Sequence, residues 1–326
     1  MHGKSARRRW WGLSIVGAFL LAVGAAYVSY LRDMQAVLAR MSTESQVVET
    51  RHGPTEFATW GSGPVVLVVH GAGGGYDQGH AIARAFGGED FRWIAPSRFG
   101  YLRTPLPADS STAAQADAFA DLLDTLGIDR VAILSMSGGV PPSLQFALRH
   151  SARTSALVLL SSAPYTPLTA AAQRLPVPTW MYQALFSSDL PYWVLGKVAR
   201  PGLETIFDVN PGLRAALTPR EKAFVAQMVD AFEPVTRRTD GLRNEAAAID
   251  PKAHYPLEAI TRPTLVIHAR DDGINPFAFG EYTARRIPGA ELMPLTSGGH
   301  LLLGHHVEVR ERVNVFLHEH APGGNR

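Results

Sequence analysis

Hydrophobic and polar positions follow two different rhythms along this 326-residue chain. The first is a block. Trp10 to Leu31 (WWGLSIVGAFLLAVGAAYVSYL) runs 22 residues without a charge, about 33 Å as a helix and enough to cross the hydrocarbon core of a bilayer. Lys4, Arg7, Arg8 and Arg9 precede it and keep that end cytoplasmic. Gly24-Ala25-Ala26 offers the small residues of a signal-peptidase site, so residues 1–31 read either as a signal anchor or as a cleaved signal peptide. The rest of the chain is then expected outside the cytoplasmic membrane, tethered to it, or secreted or periplasmic after cleavage.

After a mixed linker, 32–45, the second rhythm begins: short β-branched runs alternate with stretches of helical period, the mark of a mostly parallel α/β sheet covered on both faces. The predicted strands are Val65–His70, Phe91–Ala95, Val131–Leu134, Ala156–Leu160, Thr264–His268 and Glu291–Leu295. Between them, Gln115–Leu126 places Phe119, Leu122, Leu123 and Leu126 at helical spacing, and Ser143–His150 reads as a second helix. Alternation stops from Pro164 to Ile260, where strand runs fade and helical patches carry Trp180, Tyr182, Phe186, Tyr192, Trp193, Phe207, Phe224 and Phe232. This stretch, 164–260, is expected to be a helical insertion into a core formed by 46–163 and 261–326. Most of its aromatics should form its own small core, with a few facing a pocket. The closing HEHAPGGNR has no apolar period and should fray.

Charge refines this picture. The chain carries a net +2, but four of its basic residues lie before Arg32 and no acidic one does, leaving 27 basic against 29 acidic side chains beyond. The expected folded domain is therefore slightly acidic, and a nucleic-acid partner, which needs a clustered basic face, is disfavoured. With 18% charged and 46% hydrophobic residues, wholesale disorder is excluded. Absence of cysteine removes disulfides, thiolate metal sites and a cysteine nucleophile, and suits an oxidising compartment.

Candidate chemistry concentrates at strand ends. Val131-Ala-Ile-Leu-Ser135-Met136-Ser137-Gly138-Gly139 runs from a strand straight into a helix. Such a reversal needs small residues two before and two after its apex, here Ser135 and Gly139, and it thrusts the apex side chain of Ser137 out at the sheet edge. A serine hydroxyl needs a base to take its proton, and the base needs an acid to fix its tautomer. The loop after Thr264–His268 supplies Asp272, with Asp271 as the alternative, at the strand end where open α/β sheets place their sites. His300, after Gly298-Gly299 and opening an apolar helix, is the candidate base; His305 and His306, further along it, read as structural or surface residues. In His70-Gly71-Ala72-Gly73-Gly74-Gly75 a buried strand yields to a glycine-rich loop, so that Ala72 and Gly138 N–H groups can meet a developing oxyanion. This loop lacks the Lys-Ser/Thr of a phosphate-binding loop, and the histidines are poorly spaced for a metal. No cofactor is expected.

The order Ser137, Asp272, His300, with the glycine loop upstream, resembles the serine α/β-hydrolase superfamily over roughly residues 46–318. Ser97-Arg98-Phe99-Gly100-Tyr101, Gln145–His150 and Gly298-Gly299-His300 add to the likeness. The resemblance implies a helical cap between the sixth and seventh strands, enclosing a largely apolar pocket, and acyl transfer on an ester-like bond of a small to medium substrate. Epoxide hydrolases and haloalkane dehalogenases carry aspartate where Ser137 stands. Carbon–carbon hydrolases of ring-fission products typically hold Asn and Trp where this chain has Met136 and Leu301. Carbon–carbon hydrolysis, lyase or perhydrolase chemistry, and ligand binding without turnover on the same scaffold stay open as alternatives.

Overall fold

Eight strands form one sheet in the order β1-β2-β4-β3-β5-β6-β7-β8 in a computed structural model that describes residues 3–163, 186–248 and 255–323. A long helix, α1 (Gly3–Glu44), stands as a unit separate from residues 45–326. It takes in the stretch 32–45 expected to be a linker, which is helical to Glu44. Leu13–Glu44 has the length and apolar composition to cross a membrane, and Leu13, Ile15, Phe19, Leu20 and Leu21 are exposed along it.

The predicted parallel strands are present as β3 (Val65–Val69), β4 (Arg92–Pro96), β5 (Val131–Met136), β6 (Thr154–Leu160), β7 (Thr264–Ala269) and β8 (Glu291–Leu295). All neighbours from β4 to β8 pair in parallel. β5, β6 and β7 are buried at every position, which is why they read as unbroken apolar runs. Two strands escaped the pattern: β1 (Gln46–Thr50) and β2 (Gly53–Trp60) form an antiparallel hairpin at the edge, β2 joining β4. Their buried polar residues hide the alternation. Thr55 and Glu56, on opposite faces of β2, are both buried, and the Glu56 carboxylate accepts from Ser45, Ser97 and Arg103.

Helices α2 (Tyr76–Phe86), α3 (Thr112–Thr125) and α4 (Val140–Arg149) link the first strands, and α10 (Phe277–Arg286) and α11 (His306–His320) flank β8. Phe119, Leu122 and Leu123 of α3 join Leu144 and Phe146 of α4 in one core with Leu67, Ile133 and Leu159 of the sheet. The apolar helix expected to begin at His300 starts instead at His306, because Gly304 adopts φ +82° and breaks the backbone just before it. His306 is accordingly buried at the helix start, its ring edge-on to Phe86 and Phe224.

Between β6 and β7 lie α5 (Asp189–Val198), α6 (Arg200–Glu204), α7 (Pro211–Ala216), α8 (Pro219–Asp230) and α9 (Thr239–Ala248). Trp180 and Tyr182 lie outside the described residues. Phe186, Tyr192 and Phe207 pack around the ring of Phe232, whereas Phe224 packs against Phe86 and His306. Phe232 also closes on the glycine loop: a Cβ at Gly73 would sit 2.0 Å from its ring, and φ there is +73°. Arg238, fully buried, completes the clamp, its guanidinium donating to Gly74 O at 2.6 Å and to both carboxylate oxygens of Asp77. Removing one member of a buried ion pair strands the other charge, at about 3–5 kcal/mol. Arg238→Ala should therefore lower stability by that order in a urea unfolding titration, with Asp77→Ala weakening the same clamp.

Candidate active site

β5 ends where the strand order reverses, since β3 lies between β4 and β5. Connections leave the sheet in opposite directions there, opening a crevice at the strands' C-terminal ends. Ser137 stands at its mouth with φ +53°, a left-handed backbone that non-glycine residues hold only where the surroundings enforce it. The enforcement is steric. A Cβ on Gly139 would lie 2.5 Å from Val69 O and 2.7 Å from His70 O, so the turn passes against β3 with no room to unwind. Ser135 is fully buried, as the small position before the apex should be.

The two downstream candidates meet. His300 Nδ1 lies 2.9 Å from Asp272 Oδ2 and 3.2 Å from Oδ1, both residues being buried. With Nδ1–H donated to the carboxylate, Nε2 is left with its lone pair. Asp271 points elsewhere and accepts from the Gly298 and Gly299 N–H groups, which pins the His300 loop to the Asp272 loop. Burial alone would raise Asp272, but the charge of His300 and hydrogen bonds from His268 and His300 outweigh it and hold the carboxyl far below the usual range. Burial likewise lowers His300, yet the Asp272 charge and hydrogen bond lift it above the ordinary 6.5.

Ser137 connects to this pair through Asn275. Its side-chain amide donates to Ser161 O at 2.9 Å and reaches Ser137 Oγ at 3.4 Å, while its backbone N–H donates to Asp272 Oδ1. Ser161 Oγ–H in turn donates to His300 O at 2.8 Å. Among the described residues no hydrogen bond joins His300 Nε2 to Ser137 Oγ, a contact that often tightens only around a substrate. Asn275 and Ser161 went unseen in the sequence, where each is one more polar loop residue after a strand.

The glycine loop delivers the other half of the site. Ala72 N lies 3.3 Å from where a Cβ on Gly138 would stand, so the two expected N–H groups are neighbours. Among the described residues neither donates to a side chain or to a loop carbonyl. His70 sets the loop: its Nδ1–H donates to Gly71 O at 2.7 Å and its Nε2 accepts from Arg98 N at 3.0 Å. Burial and the Arg98 charge hold this ring well below 6.5, which keeps it neutral and able to do both. Gln78 accepts from Gly71 N at 2.8 Å and completes the support.

The insertion reaches the site through two acids absent from the sequence-based selection. Asp208, with φ +65°, accepts from Gly273 N at 2.8 Å and from His300 N at 3.2 Å. Burial and the nearby Asp272 charge raise its carboxyl, against the hydrogen bonds that favour its ionised form. Glu245 of α9 accepts from Arg98 and, at 2.8 Å, from Tyr101 OH. No spacing rule marks either residue, because Asp208 acts across 65 and 92 positions and Glu245 across 144 and 147.

Comparison with known proteins agrees with this architecture. The family model for the alpha/beta hydrolase fold matches residues 64–306. A putative carbamate hydrolase of Klebsiella pneumoniae is 30% identical over 253 residues, 74% of this chain and 86% of its own length. A 2-hydroxymuconate semialdehyde hydrolase of Pseudomonas putida is 28% identical over 277 residues, covering 79% and 89%. Among solved structures, an alpha/beta hydrolase fold protein from Nakamurella multipartita superposes with a TM-score of 0.74 at 28% identity, over 84% of this chain and 98% of that one.

If His300 acts as a base, only its neutral form works, and activity must rise with pH through a midpoint above 6.5. Asp272→Asn removes the charge that raises His300, so the midpoint in a kcat/KM profile should move to lower pH. In the same variant kcat should fall by about 10⁴, the cost of a wrongly held tautomer.

Proposed function

The chain belongs to the alpha/beta hydrolase fold family, and from that premise we propose that it is a serine hydrolase working by acyl transfer on an ester-like bond. The observation that carries this reading is the nearness of three features at the C-terminal ends of the strands: Ser137 on its left-handed turn, the buried Asp272–His300 pair linked to it through Asn275, and two N–H groups that, among the described residues, donate to no side chain or loop carbonyl. In the proposed cycle His300 Nε2 takes the Ser137 proton and the oxygen attacks the substrate carbonyl. Ala72 and Gly138 N–H groups hold the oxyanion. The alcohol leaves with the proton from His300, and water attacks the acyl-enzyme by the same route in reverse to release the acid. The substrate is a small to medium, largely apolar molecule. Phe232, whose ring packs on the glycine loop at Gly73, supports the apolar character.

A second reading, carbon–carbon bond hydrolysis, draws on the likeness to the Pseudomonas putida protein. Against it stand Met136 and Leu301, both buried and apolar, at the two positions where such enzymes typically carry Asn and Trp. We further propose that α1 anchors the protein in the cytoplasmic membrane with residues 45–326 on the outer side, or serves as a signal sequence that directs export. The four basic residues ahead of its apolar stretch support this orientation.

Hydrolysis of p-nitrophenyl esters of graded chain length tests the main reading. Ser137→Ala should cut kcat by about 10⁶ with an unchanged circular dichroism spectrum, and a fluorophosphonate should label the unaltered chain alone. Undiminished turnover in Ser137→Ala would sink the assignment.

A further inference from the structure

The Glu245 carboxylate has one satisfied oxygen and one idle one. Oε1 takes the hydrogen bonds from Arg98 Nη2 and Tyr101 OH. Among the described residues Oε2 receives none, although the side chain is only 18% exposed. That oxygen lies 2.9 Å from the point where a Cβ on Gly138 would stand, and Ala72 N lies 3.3 Å from the same point. An unpaired carboxylate oxygen thus borders the two N–H groups that would receive an oxyanion.

The position is built. Gly241 N donates to Gly100 O at 2.9 Å, and a Cβ on Gly241 would strike the Tyr101 ring at 2.3 Å, so α9 lies flush on the loop after β4. Asn244, beside Glu245, exchanges hydrogen bonds with Ser110, and Leu102 N donates to Arg237 O. Arg98 also donates to Gly71 O, which ties the glycine loop to the partner of Glu245. Burial, with the Glu245 charge second, pushes the Tyr101 phenol well above its ordinary range, so it remains a neutral donor to Oε1. Arg98 Nη2 and Tyr101 OH both donate to Oε1, and neither group donates to Oε2.

A carboxylate beside a developing oxyanion repels it, unless a donor from the substrate stands at the carboxylate. Oε2 meets solvent in the free protein, and an acceptor stripped of that water by a bound substrate carries a cost that falls selectively on substrates unable to pair with it. We propose that Glu245 is a specificity-determining residue whose Oε2 accepts a hydrogen bond from an O–H or N–H group borne within one or two bonds of the scissile carbonyl. This rests on the hydrolase reading and narrows it: the preferred substrate is an otherwise apolar ester-like molecule with a donor on its acyl side. Because Arg98 already balances the charge of Glu245, a neutral hydroxyl suffices.

Phenyl lactate and phenyl isobutyrate form the test pair, since they differ by hydroxyl against methyl on the carbon next to the carbonyl. With the full chain in detergent micelles, the lactate should be preferred in kcat/KM by about tenfold or more, the range expected for a hydrogen bond to a charged acceptor. Glu245→Gln keeps an oxygen for Arg98 and Tyr101 but turns an NH2 donor toward the substrate. Glu245→Leu removes the acceptor altogether. Both should bring the lactate-to-isobutyrate ratio down to about one or below, whereas a merely structural role would lower both rates together and leave the ratio in place. If Ser137-dependent hydrolysis shows no preference for the lactate, or the preference survives both substitutions, the proposal is overturned and the hydrolase reading stands. If neither ester nor a fluorophosphonate reacts at Ser137, both fall.

Discussion

The close approach of the turn after β5 to the end of β3 is the constraint on which the site rests. Gly139 packs against the Val69 and His70 carbonyls with no space for a side chain, and this holds Ser137 at a positive φ it would not choose alone. The same approach brings Gly138 N–H beside Ala72 N–H. One steric contact therefore aims a side chain and assembles two donors, and the cost of the strained residue is met by the buried strands on either side, β3 and β6.

Around that contact, buried polar groups act as rigid spacers. His70, Gln78 and Arg98 fix the glycine loop, Asp271 fixes the glycines before His300, and Asn275 spans Ser161, Ser137 and the Asp272 loop. Each has a defined set of partners, which is what a low-dielectric interior demands of a polar side chain. In this arrangement Asp271 and Asp272, adjacent in sequence, act on different partners: Asp271 holds the glycine backbone before His300, while Asp272 holds the imidazole and the backbone of its own loop.

What could be read from the sequence follows from the distance over which each interaction acts. Strands buried on both faces write themselves as apolar runs, so β3 to β7 were legible, the more exposed β8 was legible as the last run in the alternation, and the elbow was legible because its small residues sit two positions from Ser137. The β1–β2 hairpin was not, since its inward Glu56 is satisfied by residues as distant as Arg103. The helix expected at His300 was misplaced by a glycine at positive φ that an apolar pattern does not encode. Asp208 and Glu245 were invisible for a related reason: helical and loop periodicities inside the insertion describe its own packing, and say nothing about which carboxylates it turns toward the sheet.

Asp208 joins the amide of His300 to the amide of Gly273, so this segment holds the backbones of the Asp272 and His300 loops together. It is thereby part of the frame that sets the imidazole's position. Any displacement of the 208 segment that breaks this contact releases the His300 amide to solvent. Exchange of the His300 backbone proton therefore reports whether Asp208 is seated on the two loops or lifted from them.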